Sequence, residues 1–215
     1  MRGTIGVQQK IKFQQQPKME NNTNWNALRD RAYECAQAKG WHDVPHGTDH
    51  FLMLIVTEVA EAVNADRNGR RADRPEFERR QGMEVPPETQ ARRFKEDFDT
   101  CIKDTVEDEL ADVVIRCLDL AGLLGIDLQG GTMPECIEEG VKRIRTSQTF
   151  LFDKAAFELV RLVSSEDEDA DMIVQAAIMA ACWFAARLDF DILWHVGQKM
   201  KYNEFRGYRH GGKKY

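Results

Sequence analysis

Leu52-Met53-Leu54-Ile55-Val56-Thr57-Glu58-Val59-Ala60-Glu61-Ala62-Val63 and Glu109-Leu110-Ala111-Asp112-Val113-Val114 decide how this chain reads. On a helix turning about 100° per residue, Phe51, Leu52, Ile55, Val59, Ala62 and Val63 form one apolar arc. Glu58 and Glu61 border it. Val106, Leu110, Val113, Val114, Cys117 and Ala121 form a second arc, bordered by Glu109 and Asp112. Carboxylates three residues apart project from one helix face. Such pairs are common on solvated helices, but here both have apolar flanks. If the arcs pack together, four carboxylates meet at the rim of the core, which a low dielectric opposes. A hard divalent cation with oxygen ligands resolves that conflict.

The flanking sequence keeps the helical period. One helix is expected over about 25–36, after Thr23-Asn24 and before Gly40, and another over 51–63, capped by Thr48 or Asp49 and ended by Asn68-Gly69. Further helices are expected over 106–124, closed by Gly125, over 135–145, over about 151–163 and 169–187, and over 191–205. No segment sustains the two-residue alternation of a strand, so the chain reads as all-α. Residues 1–22, rich in Gln, Asn and Lys, read as a loosely ordered leader, and 23–215 as one domain. Within it, 66–105 reads as a charged, exposed insertion, and about 135–188 as an extra helix pair.

Composition narrows the function classes. The 30 Lys+Arg against 36 Asp+Glu give a net charge of -6, which argues against a nucleic-acid coat. The amino terminus lacks the apolar segment of a signal peptide. The longest apolar run, 172–186, falls short of the roughly 20 residues of a membrane span and reads as a core helix. Five scattered cysteines without a C-x-x-C pair read as reduced thiols of a cytoplasmic protein.

Together the helix of 52–63, the stretch Asp108-Glu109-Leu110-Ala111-Asp112-Val113-Val114-Ile115-Arg116, the preceding Ala38-Lys39-Gly40-Trp41-His42-Asp43 and the tail of 199–214 resemble the MazG-like nucleoside triphosphate pyrophosphohydrolases, relatives of the all-α dimeric dUTPases. The resemblance implies a MazG-like helical bundle that hydrolyses a standard or modified nucleoside triphosphate to the monophosphate and pyrophosphate. It implies Mg²⁺, with Mn²⁺ as a substitute, held by Glu58, Glu61, Glu109 and Asp112, which are also the catalytic residues. Relatives are dimers or tetramers, so a homo-oligomer is expected. The chain departs from the family at Thr57, where Glu is frequent, in the long gap between the acidic pairs, and in about sixty residues before the tail. A non-catalytic bundle that binds nucleotides or a protein is the competing reading.

The extra residues carry a faint echo of the first half. Leu124-Gly125-Ile126-Asp127-Leu128 matches Leu188-Asp189-Phe190-Asp191-Ile192 at an offset of 64, which sets Glu109 on Ile173 and Asp112 on Ala176. This reads either as a degenerate helix pair that lost its ligands or as an unrelated hairpin. On the last helix Lys199, Asn203 and Arg206 share a face, suited to phosphate oxygens and a sugar hydroxyl or simply solvated. The resemblance favours substrate binding. It does the same for Trp41, which otherwise reads as a lid on the core. His50 reads as a capping or packing residue, and His195 as a core histidine.

Overall fold

The computed structural model describes residues 23–144, 150–165, 168–212 and 214; the leader of 1–22 lies outside the described residues. Every regular element among them is helical: α1 (Trp25–Ala38), α2 (Thr48–Arg67), α3 (Arg74–Gln81), α4 (Gln90–Cys101), α5 (Val106–Leu124), α6 (Met133–Ile144), α7 (Phe152–Val163), α8 (Ala170–Arg187) and α9 (Ile192–Glu204). A 3₁₀ turn (Pro87–Thr89) precedes α4, and a last turn (Arg209–Gly212) closes the chain.

Helix α5 is the hub. Thr105 caps its start by accepting from the Asp108 amide, and Gly125 ends it with φ 70°, a left-handed conformation that glycine adopts without strain. Thirteen of its 19 residues are buried. Both apolar arcs find each other here, because α2 packs along α5. Helix α8 packs on another flank of α5, α7 packs on α8, and α7 returns to α2, so one chain closes a ring of four helices. Helix α1 covers α5 as α6 covers α8.

The sequence offset of 64 is repeated in the backbone. Gly125 and Asp189 both have left-handed φ, 70° and 66°. The Ile126 amide donates to Ala121 O, and the Phe190 amide to Ala185 O. Asp127 Oδ1 accepts from the Gly130 amide and Asp191 Oδ1 from the Trp194 amide, each at 3.1 Å. The two trios α1-α2-α5 and α6-α7-α8 therefore share arrangement and register at their ends. In the second trio the α5 acids are replaced by Ile173, which is buried, and Ala176. On α7, Glu158-Leu159-Val160-Arg161 keeps one acid where α2 has Glu58-Val59-Ala60-Glu61, and that Glu158 is paired with exposed Arg161.

Helix α8 is the only described helix long and apolar enough to cross a membrane. Its Val174, Ala177, Ile178, Ala181, Cys182 and Ala185 are packed into the main core, as a core helix requires.

Two sequence expectations need correction. Helix α2 starts at Thr48 with Gly47 as its cap residue and no side-chain cap bond, so neither Thr48 nor Asp49 caps it. The insertion is not merely exposed. Phe77, Phe94, Phe98, Cys101 and Ile102 form a second core with Tyr202 of α9. Phe98 stacks on Tyr202 at 4.4 Å, and the Tyr202 hydroxyl donates to Asp99 Oδ1 at 2.6 Å. Each buried Phe contributes about 1.5–3 kcal/mol, so α3 and α4 brace α9 against the bundle.

Candidate functional site

A cavity of about 490 Å³ opens where α1, α2, α5 and α9 meet. On its floor, carboxylate oxygens of Glu58, Glu61 and Glu109 lie within 4.8 Å of one another. Glu58 and Glu109 are buried, while Glu61 is exposed on the solvent side. The α2–α5 packing that buries the apolar arcs carries these three acids together at its border. Burial, reinforced by the Asp112 charge, pushes Glu58 up to about 7 against the opposing Arg116 guanidinium. Burial together with Asp112 and Asp108 pushes Glu109 up to about 9. Both shifts measure how unwelcome added negative charge is there.

Two internal cations relieve part of this. Lys199 of α9 reaches Asp112 Oδ2 at 2.6 Å and Asp108 Oδ2 at 2.8 Å. Burial alone would lower its ammonium, but the Asp112 and Asp108 carboxylates outweigh it and hold the charge firmly. Lys199 is 6% exposed, so the picture of a solvated basic helix end fails for it. Arg116 donates from Nε to Glu58 Oε1 at 2.9 Å. Asp112 thus stands beside the three-carboxylate group and is engaged by Lys199.

All eight residues singled out in the sequence (Trp41, Glu58, Glu61, Glu109, Asp112, Lys199, Asn203 and Arg206) line this one cavity. Asn203 is half-buried and its Oδ1 has no hydrogen-bond partner. Arg206 sits at the rim, its guanidinium 5.9 Å from the Tyr202 ring. Trp41 meets His210 edge-on at 5.0 Å. The chain after α9 folds back to form this wall. The Arg209 amide donates to Lys39 O at 2.9 Å, the Lys39 ammonium donates to Glu204 O at 2.7 Å, and the Tyr208 hydroxyl donates to Asp43. Gly40, with φ 78°, has the Tyr208 ring where a Cβ would be. His50 packs against Phe51 and stacks on His46 at 4.0 Å, and His195 is 2% exposed.

The donor set fits a hard divalent cation, since every candidate ligand is a carboxylate oxygen. A second group, Asp104, Asp108 and Glu109, lies equally close together, and the buried Asp108 Oδ1 has no hydrogen-bond partner. Sequence reasoning missed Asp104, Asp108, Arg116 and Asp119 as cavity or floor residues. A signal existed for two of them: Glu109, Asp112, Arg116 and Asp119 follow one another at spacings of three, four and three, a single face of α5. Asp108 offered none, because its burial depends on α9. No protein-family model, curated protein or solved structure matches the chain.

Proposed function

We propose that this protein is a divalent-cation-dependent nucleoside triphosphate pyrophosphohydrolase of the MazG-like kind. The observation that carries the reading is the convergence of Glu58, Glu61 and Glu109 from two helices onto the floor of a cavity rimmed by Arg206 and Lys103. An acidic floor beneath a basic rim is the arrangement a metal-bound triphosphate needs. The stretches of sequence that resemble that family are the ones that carry these three acids.

Glu58, Glu61 and Glu109 would hold Mg²⁺, or Mn²⁺ in its stead, and the ion would offset the triphosphate charge and polarise the α-phosphoryl group. Lys199, paired with both Asp112 and Asp108, offsets part of their negative charge beside the ion. Asn203 Oδ1, unpaired in the cavity wall, suits a sugar hydroxyl, and Arg206 suits phosphate oxygens. Glu58 has Oε1 held by Arg116, and either the ion or a carboxylate such as Glu58 would activate the attacking water and take its proton. The water oxygen bonds to the α-phosphorus, and the α–β bridging oxygen leaves with pyrophosphate.

One observation favours the competing, non-catalytic reading: Lys199 and Arg116 already neutralise part of the cluster without any metal. The two readings separate in one assay. Purified protein with Mg²⁺ and a panel of nucleoside triphosphates is expected to yield monophosphate and pyrophosphate in equal amounts. EDTA and Glu61→Gln should abolish the reaction. Metal-dependent nucleotide binding without pyrophosphate release would establish the binding module instead.

A further inference from the structure

Two turns along α5 from Asp112, the same cavity contains a buried carboxylate that the chemistry above does not use. Asp119 is 5% exposed and lines the cavity wall near Trp41 and Arg116. Its Oδ1 is hydrogen-bonded to His42 Nε2 at 2.8 Å. His42 is itself fixed, stacked on Phe51 at 5.5 Å and edge-on to Tyr33 at 4.9 Å. A buried carboxylate held by a wedged imidazole has a set orientation, and an ionised carboxylate only accepts hydrogen bonds. Seven residues of helix put Asp119 about 10 Å from Asp112 along the axis, a span that a sugar and a base bridge. Trp41 offers an aromatic surface on the same wall, and any base can stack on such a surface.

From this juxtaposition we propose that Asp119, oriented by His42, selects substrates whose base presents an amino group, cytosine, adenine or guanine, over uracil and thymine. The inference rests on the nucleotide reading above. An exocyclic amine donates to the free lone pairs of Asp119. A uracil or thymine carbonyl in that position sets oxygen against oxygen and offers Asp119 no donor beyond His42, so the buried carboxylate gains nothing for the water it loses. Asp119 touches the base and not the reacting phosphorus, so it acts on specificity.

Cytosine and uracil differ at ring position 4 only by amine against carbonyl, which makes them the decisive pair. Binding of non-hydrolysable α,β-imido CTP and UTP is measured by calorimetry with Mg²⁺, alongside hydrolysis of CTP and UTP. Wild-type protein is expected to bind the cytosine analogue at least about tenfold more tightly, and Asp119→Asn, whose amide donates as well as accepts, to erase most of that ratio. Equal binding of the two analogues, a preference for uracil, or a parallel loss of both in Asp119→Asn would overturn the proposal. Should Asp119→Asn not fold, the wild-type cytosine-to-uracil ratio alone decides, being above or below tenfold. Selective binding without hydrolysis sustains this inference and defeats the enzyme; hydrolysis without selectivity does the reverse; no binding of either analogue defeats both.

Discussion

Replacing Lys199 by Met tests the electrostatics of the floor most directly. Met keeps the apolar stem and removes the ammonium that sits 2.8 Å from Asp108 and 2.6 Å from Asp112. Asp108 is 1% exposed, so its charge has nowhere to go. Removing one partner of a buried ion pair costs about 3–5 kcal/mol, a large share of the 5–15 kcal/mol (roughly) that holds a domain together. With a urea slope of about 2–3 kcal/mol per M, the midpoint should drop by roughly 1–2.5 M at pH 7 without metal. Acid should narrow the gap. Burial, with Asp112 adding to it against Lys199, already pushes Asp108 up to about 6, and once protonated it no longer requires the ammonium. At pH 5 wild type and Lys199→Met should therefore lie closer together, and Asp108→Asn added to Lys199→Met should recover most of the loss at pH 7. A midpoint change under about 0.3 M at pH 7 would show that Lys199 is solvated and that the floor is organised otherwise.

Glu61, the exposed member of the cluster, should behave oppositely: Glu61→Gln is expected to change stability by under about 0.5 kcal/mol while weakening Mn²⁺ affinity by calorimetry at least about tenfold. The acids also set a pH profile. Glu58, at about 7, and Glu109, at about 9, hold protons in the folded chain where the unfolded chain, near 4.5, has released them. The unfolded state then binds fewer protons, so metal-free stability should fall as pH rises from about 5 to 9; a rising urea midpoint in EDTA across that range would contradict it. Gly40→Ala should destabilise by at least about 1–2 kcal/mol, since φ 78° disfavours a side chain and the Tyr208 ring fills its space; a melting temperature equal to wild type would refute the close approach.

The sequence was informative where local pattern and tertiary role coincide. Helix α5 runs over the residues its apolar period and the flanking Gly125 indicate, because it is buried by helices on several sides. The acids at the edges of two arcs lie side by side because the arcs themselves must pack. The insertion misled because its mean polarity hides Phe94, Phe98, Cys101 and Ile102, spaced as one helical stripe; their partner, Tyr202, lies over a hundred residues on. Lys199 misled for the same reason. Whether a lysine near a helix end is solvated or buried depends on what the helix is laid against, and α3 and α4 press α9 onto α5.

The ring of four helices has a seam. Contacts of α2 with α5 join segments that only the insertion of 66–105 separates, but α7 must travel back across about a hundred residues to meet α2. Closing so long a loop costs chain entropy before any contact rewards it. Assembly around α5 should therefore come first and closure of α7 last. The same asymmetry survives in the folded state as uneven local opening. Amide hydrogens of α5 should exchange slowest and those of α7 among the fastest in the ring, and the acidic floor, where α2 meets α5, stays assembled while the far side breathes.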